Sequence, residues 1–262
     1  MKEPIHHLVF DLDNTLYPAS SKMDAGITSR MISSVAKYGG VSIEEATRLR
    51  KERMPIYGTT LGWLMAEHNL TDVQDFFNHV HPAEEIHELD SDEKLRPFLE
   101  SLQLPMTILT NSPTIHANRV LNFFNIRDLF LFISDIETNN LQGKPYQHAY
   151  LNAVFQKHYN LSDTLFFDDH TKYTKGYTAL GGKAILVTDE IAYPGEKGTF
   201  NCDYLVKDIL SNIDEKPASK DETLLKLPEI QQVILEKNPE LLPYSWISSV
   251  YDIPKILDFI KS

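Results

Sequence analysis

Five apolar runs of strand length recur along this chain, at His7–Phe10, Met106–Leu109, Leu131–Ser134, Thr164–Phe167 and Lys183–Val187. Short runs this rich in apolar residues predict strands covered on both faces, as in a parallel sheet. Amphipathic segments of helix length follow three of them, at Thr114–Phe124, Tyr146–His158 and Lys172–Leu180. That alternation predicts an α/β fold with an open, doubly wound parallel sheet, in which ligands sit at the carboxyl ends of the strands. With 262 residues, 42% of them hydrophobic, the chain can bury a substantial core as one large domain or one domain carrying an insert.

The alternation breaks between about residues 19 and 92, where the pattern is helical only. Met23, Ile27, Met31 and Val35 recur at helical spacing, Ser42 and Glu45 match a capping box, and further helices are expected over Thr60–His68 and Asp72–His79. A helical block inserted just after the first strand is placed to cover the sheet's active end. The expected division is therefore a core of residues 1–18 and 93–262, with a helical cap of 19–92. Near the C-terminus, Ser211–Thr223 reads as a loop and "LPEIQQVILEKN" as a helix with Pro228 near its start, an extra loop-helix element over 211–245. Either "CDYLVKDIL" or "SWISSVYDIPKIL" can supply the closing strand.

A formal net charge of -12 argues against unspecific attraction to nucleic acid polymers or anionic membranes, which need a positive face, and leaves open a small phosphorylated metabolite. Cys202 stands alone and cannot form an intramolecular disulfide. No N-terminal apolar stretch has the length of a signal peptide or membrane span, so a cytoplasmic location is expected, and the assembly expected is a monomer or homodimer.

Directly behind the first apolar run stand Asp11 and Asp13. Side chains alternate along a strand, so the two carboxylates point the same way, which is unfavourable without a cation or a shared proton. A single D-x-D is equally an ordinary turn. The fourth run, however, also ends in a pair, Asp168 and Asp169, and two such pairs at one sheet edge ask for a metal. Carboxylates from both strands, completed by water and phosphate oxygens, suit Mg²⁺. Strand two ends in Thr110 and Asn111, which read as a helix cap or as an anion site at a helix head. Lys144 precedes Pro145, which fits a helix's first turn and leaves the ammonium free to reach the same pocket, though alone it reads as a surface lysine. With the metal and Lys144 offsetting its charge, Asp11 stays ionised and can attack phosphorus, while Asp13 moves the proton.

The motifs "DLDNT", "LTN", "GKP" and "FFDD" occur in this order, and the chain resembles the phosphatases of the haloacid dehalogenase superfamily with a C1-type helical cap. Within it the chain is most similar to the pyrimidine 5'-nucleotidase group, through "FDLDNTLY", "YGTTLGWL", "LTNSPTIHANRVLNFFNIRDLF" and "GKPYQHAY". The resemblance implies a Rossmann-like core and an Mg²⁺-dependent phosphomonoesterase, with Asp11 as nucleophile and Asp13 as general acid and base. It further implies Thr110 and Asn111 on the phosphoryl group, Lys144 neutralising its charge, and a metal held by Asp11, the Asp13 carbonyl, Asp169 and, directly or through water, Asp168. Thr15 would support the first loop. His170 and Tyr173 depart from the usual pattern, so the loop after the second acidic pair is expected to differ. Phosphomutase, broad sugar-phosphate phosphatase and non-catalytic binding remain the alternatives. Tyr17, Arg53 and Tyr57 offer an aromatic face and donors for a base or ribose.

Overall fold

A computed structural model describes residues 5–19, 21–188, 245–254 and 256–257. Within them six strands form one parallel sheet: β1 (His7–Phe10), β2 (Met106–Leu109), β3 (Phe130–Ser134), β4 (Thr164–Asp168), β5 (Lys183–Val187) and β6 (Ser245–Ile247). Their order is β3-β2-β1-β4-β5-β6, a doubly wound arrangement that reverses direction between β1 and β4. The strands fall within one residue of the expected positions, and "SWI" supplies the sixth described strand. The expected loop at 211–223 and the helix after it lie outside the described residues, as does "CDYLVKDIL".

Helices cover both faces. On one, Leu8 and Phe10 of β1, Ile108 of β2 and Phe167 of β4 pack with α5 (Leu95–Ser101) and α6 (Thr114–Phe123). On the other, Val9, Leu109 and Phe166 meet Ala149, Tyr150 and Ala153 of α7 (Gln147–Phe155) and Tyr177 of α8 (Thr171–Thr178). Successive strand residues thus face opposite layers, as the pleat requires, which is why each run is predominantly apolar and does not alternate. Three buried polar residues of the central strands satisfy one another: His7 of β1 contacts Thr107 of β2 at 2.8 Å and Thr164 of β4 at 3.2 Å, linking β1 to both neighbours.

Between β1 and α5 the chain is helical, as its spacing predicted: α1 (Lys22–Gly39), α2 (Ile43–Tyr57), α3 (Thr60–Glu67), α4 (Val73–Val80) and a 3₁₀ turn, Ala83–Glu88. Val35, Leu61, Trp63, Leu64, Phe76, Phe77 and Val80 give these helices a cluster of their own, which Ile136 joins from the loop after β3. Gly40 ends α1 in the left-handed region at φ 63°, where glycine carries no Cβ penalty. Ser42 caps α2 by accepting from Glu45 N at 3.2 Å, but the Glu45 carboxylate turns to Arg48, so only half of the capping box forms.

Candidate active site

β1 and β4 are neighbours in register, Phe10 against Phe167, so Asp11 and Asp168 leave the sheet side by side at the point where strand order reverses. Asp11 N donates to Phe167 O at 2.8 Å and fixes that spacing. Lys144 lies between the two carboxylates, its Nζ 2.7 Å from Asp11 Oδ1 and 2.5 Å from Asp168 Oδ2, with 1% of its side chain exposed. The rings of Tyr173 and Phe166 flank the same ammonium at 5.0 and 5.6 Å.

Asn111 positions that lysine through its backbone. Its Oδ1 accepts from Lys144 N at 2.6 Å and its Nδ2 donates to Lys144 O at 2.9 Å and to Tyr173 Oη at 3.2 Å. The Asn111 amide expected on a phosphoryl group is thus engaged with the Lys144 loop. Pro145, after a cis peptide bond, stands before α7 and not in its first turn, a correction to the expected placement. Thr110 is buried and its Oγ1 accepts from Ser112 N at 3.0 Å, while Thr15 Oγ1 donates weakly to Asp11 at 3.4 Å.

Carboxylate oxygens of Asp11, Asp168 and Asp169 lie within 4.8 Å of one another. Asp168 is fully committed, its Oδ1 accepting from His170 N at 2.7 Å and its Oδ2 from Lys144. Asp169 has no hydrogen-bond or ion-pair partner among the described residues and faces the cavity below. Burial raises the pKa of Asp11, against the pull of Lys144. It raises Asp168 to about 7 in the same way and Asp169 to about 9, the latter helped by the neighbouring carboxylates. Lys144 is held well above its ordinary value, because Asp11 and Asp168 outweigh the effect of burial. Three crowded carboxylates share one ammonium, a charge balance that a divalent cation with oxygen ligands would complete.

Asp13 has a different environment. Its Oδ1 accepts from Tyr17 Oη at 2.5 Å and His116 Nε2 at 2.7 Å, and its Oδ2 from Ser112 Oγ at 2.6 Å. Burial works to raise its pKa, but the charge of His116 and the hydrogen bonds from His116, Ser112 and Tyr17 overcome it and hold the group well below the usual carboxylate range. His116 is pushed up to about 10, burial being outweighed by Asp13 and Glu85. Its Nδ1 lies 2.9 Å from Glu85 Oε1, at ion-pair distance though off the line of a well-formed hydrogen bond. Sequence reasoning missed Ser112, His116 and Glu85. The readable signal was a histidine on the buried face of α6, among Ala117, Val120 and Leu121 and just after "LTNS".

A cavity of about 590 Å³ opens over this edge. Asp11, Asp13, Asp169 and Lys144 border it from the sheet, and Met31, Arg50, Met54 and Gly58–Leu61 from the helices. A larger cavity of about 820 Å³ beside Asn14 touches only Asp169 of the four motif aspartates and lies away from Lys144. Arg53 and Tyr57, expected near a base, are drawn instead to Glu67 of α3, at 3.6 and 2.6 Å. Tyr17 directs its hydroxyl to Asp13. Arg50 reaches the cavity in their place: its Nε donates to Thr60 Oγ1 at 3.0 Å, and no carboxylate among the described residues pairs with it. His170 caps α8, its Nδ1 accepting weakly from Lys172 N at 3.4 Å, and its backbone serves Asp168.

Phosphate metabolism protein 8 of Saccharomyces cerevisiae is 26% identical to this chain over 204 residues, which is 71% of this chain and 63% of that protein. The chain therefore spans less than two thirds of that relative. Among solved structures, a HAD phosphatase from Thermococcus onnurineus shares the fold at 15% identity and a TM-score of 0.55, over 98% of both chains. L-2-haloacid dehalogenase from Xanthobacter autotrophicus does so at 16% identity and a TM-score of 0.52, over 97% of this chain and 98% of its own. A family model described as haloacid dehalogenase-like hydrolase matches residues 5–172. Since that span runs from the start of β1 into α8 and takes in the whole strand-end site, the chain belongs to the haloacid dehalogenase-like hydrolase family.

Proposed function

We propose that this hydrolase is an Mg²⁺-dependent phosphomonoesterase acting on a small phosphorylated metabolite, a pyrimidine nucleoside 5'-monophosphate first among them, through a phospho-aspartate at Asp11. The observation that carries this reading is the buried set Asp11–Lys144–Asp168, with Asp11, Lys144 and an Asp169 that no described residue pairs with bordering a cavity of about 590 Å³. Asp11, the Asp13 carbonyl and Asp169 are the groups to hold the metal, with Asp168 beside them. Mg²⁺ bound there would neutralise charge on the phosphoryl oxygens.

The chain's own groups then divide the work. A carboxylate oxygen of Asp11 forms a bond to phosphorus as the bond from phosphorus to the leaving oxygen breaks, and Asp13 gives that oxygen its proton. In the second half Asp13 takes a proton from water, whose oxygen bonds to phosphorus and frees Asp11 and inorganic phosphate. Asp13 faces three donors, which favour its ionised form and hold the carboxylate that takes the proton from water in place. When it carries one, the hydroxyls of Tyr17 and Ser112 can turn and accept, because each is donor and acceptor alike. Lys144 pulls Asp11 toward its ionised form, against the effect of burial.

Residues 19–92 act in this reading as a cap over the sheet's edge. The "YGTTLGWL" segment supports the nucleotidase assignment, since its Gly58, Thr59, Thr60 and Leu61 border the cavity. Arg50 offers a fork of donors to the in-plane acceptors of a base, and Met31 and Met54 an apolar wall. The test compares kcat/KM for UMP, CMP, AMP and several sugar phosphates by free-phosphate release. UMP or CMP should lead. A sugar phosphate preferred by about tenfold, roughly 1.4 kcal/mol in transition-state binding, would end the nucleotidase assignment and leave the phosphatase chemistry standing.

A further inference from the structure

Beside Asp13 lies a buried polar cluster that the chemistry above does not use. His116 on α6 and Glu85 on the 3₁₀ turn have no side-chain exposure. Glu85 is also met by His81 Nδ1 at 3.0 Å and Arg119 Nη1 at 3.4 Å. The turn itself is fastened from two sides. Arg119 of α6 donates to the His81 carbonyl at 2.7 Å, and Arg30 of α1 donates to the Val80 carbonyl at 2.6 Å and pairs with Glu88 at 2.7 Å. His81, Glu85 and His116 are close enough together to ligate an ion. Arg119 beside Glu85 and Asp13 on the far nitrogen of His116 already balance those charges, so polar contacts account for the cluster.

Burying an imidazole and a carboxylate is costly, and such pairs add little net stability over apolar packing. Here the result is directional. Of the three groups on Asp13, the Ser112 and Tyr17 hydroxyls can rotate, whereas His116 has a carboxylate at each ring nitrogen and cannot turn without losing one of them. We propose that His116, held by Glu85, is a positioning residue that fixes the Asp13 carboxyl in the orientation needed for proton transfer to the leaving group. The inference rests on the reading of Asp13 as the proton-transfer group. Proton transfer requires heavy atoms within about 2.6–3.2 Å, so a carboxyl free to rotate spends less of its time in reach.

The test uses the full chain and two probes: p-nitrophenyl phosphate, whose leaving group departs without a proton, and a simple alkyl phosphate, whose alkoxide needs one. Rapid-quench measurement of phosphoenzyme formation separates this step from hydrolysis. In His116→Ala the alkyl phosphate rate should fall about 100-fold with KM within about twofold, while the p-nitrophenyl rate falls far less. His116→Gln, which keeps a donor, should recover much of the loss. Equal losses on both probes, or an alkyl rate equal to the wild type's, would overturn the proposal. Glu85→Gln should give the same selective loss in milder form, and it decides the matter if His116→Ala does not fold. A wild-type protein forming no phosphoenzyme from either probe would defeat the phosphatase reading itself, a result distinct from wild-type turnover with no selective loss in the variants.

Discussion

Asp11 and Asp168 share one buried ammonium, and that shortage of positive charge decides what substitution does at this position. Asp11→Asn keeps the shape of the side chain and removes one of three crowded carboxylates, so the folded protein should melt no lower than the wild type. Turnover should nevertheless fall by about 10⁴-fold or more, because an amide is no anionic nucleophile. Phosphate release and a melting curve on the same preparation check both halves, and activity within tenfold of the wild type would remove Asp11 from its role. The acidic pairs and Lys144 were legible because charge directly behind a buried run is costly and needs a counter-charge. His116 was not, for it meets Asp13 across 103 residues of sequence, and Glu85 sits in "PAEEIHE" with nothing local to distinguish it from Glu84. Arg50 and Arg53 were inseparable by type, and only the position of Glu67 on α3 decides which of them faces the cavity.

At the scale of elements, the strands were legible to within a residue because a parallel sheet covered on both faces tolerates few polar side chains along its run. Helix ends were less so. α7 stops at Phe155 where an end at His158 was expected, since amphipathic spacing alone sets no terminus. The loop before α7 was visible as "GKP", but its reason was not: a Cβ on Gly143 would lie 2.0 Å from Asn111 Oδ1, the atom that accepts from Lys144 N. Gly143→Ala should therefore push the Lys144 loop off Asn111, costing about 1–3 kcal/mol of stability and lowering kcat along with it. Adding Asn111→Ser makes room for the methyl group. The double variant should be more stable than the sum of the two single losses implies, with a coupling of about 0.5–3 kcal/mol in denaturant unfolding. Strict additivity would mean that the contact is relieved elsewhere.

For the molecule as a whole, the buried charges pull stability in opposite directions along the pH scale. Glu85 falls from its ordinary 4.5 to about 2 on folding, so its contribution is present above 4.5 and lost as pH drops toward 2. Asp168 and Asp169 rise from 3.8 to about 7 and about 9, so theirs is present in acid and lost as pH climbs through those values. His116, raised from 6.5 to about 10, contributes fully below 6.5 and loses its share toward 10. The metal-free protein should thus be most stable near pH 5, and less so at pH 8. A divalent cation needs its carboxylates ionised, which at pH 5 opposes the raised values and at pH 8 relieves the repulsion. Mg²⁺ should then raise the melting temperature little at pH 5 and clearly at pH 8. At about 100 times its Kd the gain is about 2.7 kcal/mol, on the order of 5–10 °C for a chain of this size. Excess chelator should return the protein to the metal-free curve, and Ca²⁺ should restore turnover poorly, because its looser coordination misplaces nucleophile and phosphate. Equal Mg²⁺ shifts at pH 5 and pH 8 would show that the ion binds somewhere other than the Asp11, Asp168 and Asp169 carboxylates.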